Sequence, residues 1–256
     1  MELNRFPQRL AARLGLGLVA LPLASAAFAD DQPMRVDVVV EMTEAGKKVA
    51  HPTPAKPAYY FPLSAGFSAD GDVMTFFQRP PPDSAEIESL LAKTLADQGY
   101  LLATKAHPPS LILMFRWGYM APIIIDDLFV NEGQMWELVG GKTIDTPWPI
   151  GPRKLEVVES ARTARWYMTV VAADYNDWKY HHKATKLWHE SMSTELWGHY
   201  FDEALPTLIA NGAASFGRET GPQMIQAPVV PMGHVVVGTP YLRPDPTGPA
   251  APAGGR

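Results

Sequence analysis

The chain contains no cysteine. No disulfide can staple its fold and no lipid can be attached at a cysteine after processing; in an oxidising compartment no thiols can mispair. Charge is also scarce: Asp, Glu, Lys and Arg make up 19% of the residues, and the formal net charge is -5. Without a surplus of clustered Lys and Arg there is little counterion release to gain, which argues against a general grip on nucleic acid or anionic lipid. Nor is any apolar run long enough for a membrane-spanning helix, which takes roughly 18 or more residues. Leu14 to Ala26 is a clear apolar run, and it stops at 13 residues.

That run belongs to the most legible feature in the chain. Arg5, Arg9 and Arg13 give a positive start, the apolar stretch follows, and Ala27-Phe28-Ala29 supplies a small-x-small cleavage pattern. Residues 1–29 therefore read as a removable export signal cut after Ala29, giving a periplasmic or secreted product with no transmembrane segment. The leader carries a net +2, so its loss leaves 227 residues with a net charge of −7. That length suits one sizeable core with tails. The abundance of proline (25 residues), tryptophan (7) and tyrosine (9) describes an aromatic-rich body with proline-rich connections.

Beyond the leader, residues 30–57 read as an arm or linker. One strand candidate, Arg35 to Glu41, precedes a spacer in which Pro52, Pro54 and Pro57 forbid a helix. Residues 58–220 carry the expected domain. Asp83 can cap a helix over 84–98 whose apolar face is Ile87, Leu90, Leu91 and Leu95 and whose stop is Gly99. Tyr100–Thr104 and Leu111–Trp117 are extended runs joined too tightly for a parallel crossover, so antiparallel pairing is expected. Residues 120–164 form an excursion ending in a second helix from Arg153 to about Arg162. Arg165–Tyr175 and Thr185–Ser193 read as antiparallel neighbours across a wet, basic turn, and a last helix starts near Asp202 and ends at Gly217. The fold class so predicted is α+β: an antiparallel sheet of four to five strands, two main helices packed on one face, plus a helical excursion. Residues 221–256 read as a proline-rich, largely disordered tail.

Chemistry is hard to find. His181, His182, His189 and His199 crowd one stretch without HExxH, His-x-His or a repeated acidic spacing, so no metal and no cofactor is expected. Gly66-Phe67-Ser68-Ala69-Asp70 lacks the second glycine of a nucleophile elbow, and Gly140-Gly141-Lys142-Thr143 lacks the first glycine of a phosphate loop. No catalytic residue is assigned on this basis. Two readings stay open. One is a binding or accessory module in which Trp117, Tyr119, Trp136 and Trp148 line an apolar groove for a sugar, lipid or peptide, or in which an envelope protein docks. The other is a hydrolase of unrecognised type using Asp126, Asp127 or His189.

The run from Glu86 to Phe115 carries a resemblance. A helix ending in Asp97-Gln98-Gly99-Tyr100, the lead Pro109-Ser110-Leu111 into a strand, and a later strand containing Leu187-Trp188 resemble a family of small exported bacterial proteins of unknown function, many of them lipoproteins. Ser110 stands where that family has Asp, the lipid-bearing cysteine is missing, and the 120–164 excursion is an addition. The resemblance covers about half the chain, and it implies an α+β module of the cell envelope without assigning an activity.

Overall fold

The computed structural model describes residues 33–71, 83–126, 128–141 and 152–230. In chain order its elements are β1 (Met34–Met42), β2 (Ala58–Asp70), α1 (Ser84–Asp97), β3 (Tyr100–Leu102), β4 (Leu111–Met120), β5 (Ile124–Ile125), β6 (Leu128–Phe129), α2 (Glu132–Leu138), α3 (Pro152–Ala161), β7 (Arg165–Asp174), α4 (Tyr175–His181), β8 (Lys186–Glu195), α5 (Phe201–Gly212) and β9 (Gln223–Ala227). The expected leader and the end of the expected tail lie outside the described residues. Among the described residues no helix is long and apolar enough to cross a membrane.

The architecture is α+β, but the antiparallel sheet of four to five strands is corrected. One mixed sheet has seven strands in the order β3-β2-β4-β7-β8-β1-β9, and β5-β6 form a separate two-stranded piece. Two physical reasons account for the difference. First, β3 and β4 do not pair with each other; both lie parallel to β2, one on each side. A strand of three residues barely advances along the sheet, so residues 103–110 suffice to step back across the start of β2. Second, the stretch read as an arm contributes β1, which pairs antiparallel with both β8 and β9. Met34, Val36, Val38 and Val40 all point into the core, a period of two that fixes one face of a strand.

The helix expected over 84–98 is present as α1, and the Asp83 side chain accepts the N–H of Ala85 as its cap. Together α1 and α5 cover one face of the sheet. Leu91, Leu95, Leu205, Leu208 and Ile209 meet Trp117, Met168, Val170 and Met192 in the main core. α5 starts two residues earlier than a cap at Asp202 implies: Tyr200 is its cap residue, and Glu203 accepts the Tyr200 N–H at 3.2 Å. The basic turn before β8 is instead the short helix α4, capped by Asp174 and closed by His182 at φ 52°.

The excursion covers one end of the opposite face. Met135, Leu138 and Val139 from α2 and its end, with Val157 and Ala161 from α3, pack on Met120 and Tyr167 in a second, smaller cluster. Beneath them Arg165, fully buried, makes an ion pair with Asp37, donates from Nε to Ser193 Oγ at 3.0 Å and reaches the Ser160 carbonyl at 3.5 Å. These contacts join β1, β7, β8 and α3, so the pair serves as a structural rivet.

Candidate functional site

The sheet separates the aromatic residues expected to share a groove. Along β4 the odd positions through Tyr119 face α1 and α5, so Trp117 and Tyr119 are core residues, 0% and 1% exposed. Trp136 lies on the other face against the smaller cluster, and its indole N–H donates to Glu132 Oε1 at 3.1 Å. Trp148 lies outside the described residues. The described members of the set are thus not brought together.

The acid-base candidates are scattered as well. Asp126 is exposed at φ 48° in the turn between β5 and β6, and Asp127 is outside the described residues. His189 sits on β8 facing away from α5, with Ser191 Oγ 3.2 Å from its Nε2. Glu41 is its register partner on β1. Serine, histidine and a carboxylate therefore neighbour one another, but Ser191 is only 1% exposed. Its strand is flanked by β1 and β7, so the ladder takes the amide groups that could stabilise an oxyanion.

A different site lies at the other end of the sheet, away from the excursion. The end of β1, the starts of β2, β4 and β8, and the end of β7 converge there on a cavity of about 150 Å³. Its walls include Met42, Leu111, Leu187, Trp188 and Tyr100, and His51 and Gly217 close it. The Trp188 and Tyr100 rings meet edge-on with centroids 5.9 Å apart. Both side chains are held in place by the turn after α5. Tyr100 Oη donates to the Phe216 carbonyl at 3.4 Å, and a Cβ on Gly217 would fall 2.2 Å from Tyr100 Oη. Gly217, at φ 65°, is required there twice over, once by conformation and once by space. Burial raises the Tyr100 hydroxyl far above its ordinary range, with Glu190 adding to the effect, so it stays a neutral donor.

His51 is one of the polar members of the wall, with Ser110, Asp174 and Asn176. Burial lowers its pKa first and the neighbouring Arg218 charge second, while the backbone of Gly217 opposes the shift. Arg218 Nε donates to His51 Nε2 at 3.0 Å. A guanidinium only donates, so Nε2 offers its lone pair and the ring proton of the neutral imidazole resides on Nδ1.

Behind Trp188 on the same face of β8 lies Glu190, fully buried, with no hydrogen-bond partner for either oxygen among the described residues. Gly212 of α5 leaves room for it: a Cβ there would meet Oε1 at 2.8 Å. Burial holds the Glu190 carboxyl well above the usual carboxylate range, in its neutral form. The strand period could have revealed this residue, because Trp188, Glu190 and Met192 share the inward phase. Nothing in the sequence around His51 announced its role, since three prolines conceal where that segment runs.

Fold and site together define a mixed-sheet α+β protein with a partly open cavity at one end of the sheet. No family model and no curated protein matches the chain. Among solved structures it is similar to a PelC dodecamer from Paraburkholderia phytofirmans, at 10% identity and a TM-score of 0.33, over 72% of this chain and 99% of that one. A PDZ domain protein from Parabacteroides distasonis aligns at 9% identity and a TM-score of 0.32, over 74% of this chain and 36% of that one. Both likenesses are too loose to bear on fold or function.

Proposed function

We propose that the chain is an exported bacterial protein of the cell envelope, cleaved after Ala29, that binds a ligand or partner rather than catalysing a reaction. The observation that carries the binding reading is the cavity framed by His51, Tyr100 and Trp188, whose side chains are fixed from behind by Arg218, Phe216 and Gly217. Fixed walls lower the ordering cost of binding. The leader's three-part pattern and the scarcity of basic residues support export and a partner other than nucleic acid; an envelope protein, or an apolar or sugar ligand, fits.

Two measurements on protein recovered from its native host test this. Its mass and N-terminal sequence should begin at Asp30, and photo-crosslinking in the intact envelope should trap a defined partner or ligand. An intact Met1, or crosslinks spread without preference, would remove the reading. The hydrolase alternative has one observation in its favour, the Ser191 contact to His189. It requires hydrolytic activity of the pure protein that disappears in a folded His189→Gln variant, or in Asp126→Asn or Asp127→Asn.

A further inference from the structure

We propose that the chain associates with further copies of itself head to tail: the β5–β6 hairpin of one copy docks on the helix-free face of the next copy's sheet, beside α4. This contact is separate from the cavity and goes beyond the binding reading above. Ile124, Ile125, Leu128 and Val130 of the hairpin are each more than half exposed. Single exposed aliphatics are ordinary on a protein surface, but four within residues 124–130 make a patch. The hairpin is nonetheless held at its base. Asn131, buried, accepts the Ile123 N–H and donates to the Ala121 carbonyl, both at 2.8 Å, and the Val130 N–H donates to the Ile123 carbonyl at 2.8 Å. An aliphatic hairpin fixed at its base and bare along its flanks gives up little freedom when it docks.

The receiving surface lies on the sheet face opposite α1 and α5, beyond the part that the excursion covers. Leu63 and Met114 are register partners on β2 and β4, 41% and 42% exposed, and Val171 of β7 continues the row beside Met114. Phe61 shares this face, and its ring leads at 6.5 Å to Tyr175 and from there at 6.0 Å to the exposed Trp178 of α4. Charge assigns the occupant. Residues 117–141, which carry the hairpin, hold four acidic side chains and no Lys or Arg, whereas residues 178–186 hold three Lys, two His and no acid. Asp126 is exposed at the hairpin turn, and Lys179 and Lys183 are exposed beside the aromatic patch. Asp177, which precedes that basic run, is already bonded to Thr185 and His181. One chain thus presents an acidic aliphatic hairpin and a basic apolar face. Opposite charge favours hairpin on face, and like charge disfavours hairpin on hairpin or face on face. Because the two surfaces differ, the contact is heterologous and repeats into a ring or a filament.

Sedimentation of the full mature chain against concentration tests this with two sets of substitutions at exposed positions. Ile124→Ser with Leu128→Ser removes the hairpin's apolar flanks, and Leu63→Ser with Lys179→Glu and Lys183→Glu removes the receiving face. The wild type should grow in mass with concentration, and less so in high salt, where the exposed charges are screened. Each variant alone should associate about ten-fold or more weakly, because it loses apolar burial or opposite charge at the contact. An equal mixture of the two variants should form pairs and stop there, since one chain keeps only its receiving face and the other only its hairpin. Should the triple variant not fold, Lys179→Glu with Lys183→Glu takes its place in the same mixture. Point substitutions are used because removing the excursion would also bare the small core beneath it. The proposal is overturned if the wild type stays monomeric up to about 1 mM, the level of a weak specific contact, if either variant associates as the wild type does, or if the mixed variants do not pair. A monomeric wild type whose hairpin crosslinks to a different envelope protein would also overturn it, and would leave the binding reading standing.

Discussion

At the scale of single residues, the chain carries costs that its sequence pattern does not explain, and Glu190 is the largest. A carboxyl group with no partner for either oxygen among the described residues occupies space that Met192 and Gly212 would otherwise share with an apolar side chain. Glu190→Met should therefore stabilise the protein, by about 1–3 kcal/mol at pH 8. The pH dependence has a definite sign. The folded-state pKa lies above the ordinary value, so as pH rises past about 4.3 the unfolded chain releases this proton while the folded chain keeps it, and stability falls. The gain from Glu190→Met should accordingly grow between pH 4 and pH 8 in urea denaturation, and a gain that shrinks with pH would contradict the assignment. Gly217→Ala tests the opposite wall: the left-handed backbone alone costs about 1–2 kcal/mol. Its new Cβ must also displace the Tyr100 hydroxyl. A lower melting temperature together with a shifted Trp188 resonance is expected, and an unchanged Trp188 would separate the turn from the cavity. Of these residues Gly217 was legible as the stop of the last helix, and the burial of Glu190 follows from its phase in the strand; His51, and the contact of Gly217 with Tyr100, depend on segments distant in sequence.

At the scale of elements, local signals and pairing partners part company. α1 was legible because its cap, its apolar spacing and its terminating Gly99 are all written between Asp83 and Gly99, and β7 and β8 because each is a long run of strand-forming side chains. The parallel pairing of β2 with β3 and β4 was not, because no residue of β2 encodes which strand will lie beside it. β1 was readable as a strand and not as an interior one, since its proline-rich sequel looks like a linker. What holds β1 among its neighbours is testable. Asp37→Ala leaves Arg165 charged, fully buried and short of its main partner, which should cost about 3–5 kcal/mol. The double replacement Asp37→Leu with Arg165→Met removes both charges and should recover most of that loss, because an apolar pair of similar volume avoids desolvation. Arg35 retains Glu156 as a partner at 3.3 Å in the double variant. If the double variant is as unstable as the single, the rivet acts through its hydrogen bonds to Ser193 and Ser160 and not through charge balance.

At the scale of the whole molecule, the two ends of the sheet do separate work. One end carries the cavity, and the other carries the excursion with its small core. Met120 and Arg165 are register partners in the β4–β7 pair, so the chain leaves the sheet and re-enters it at adjacent points. An Asn-Gly turn joining Ala121 directly to Ala164 would close that pair as an ordinary two-residue hairpin. The main core should survive the removal of residues 122–163, because none of its members lies among them. Losing α2 and α3 uncovers Val39, Met120 and Tyr167 and takes the Ser160 carbonyl from Arg165. The shortened chain is therefore expected to fold with an unchanged Trp188 resonance, a lower urea midpoint and concentration-dependent association through the bared patch. Sedimentation and heteronuclear NMR measure all three. Loss of the Trp188 signal would mean that the excursion supports the whole sheet, and that the cavity depends on a core built at the far end of its strands.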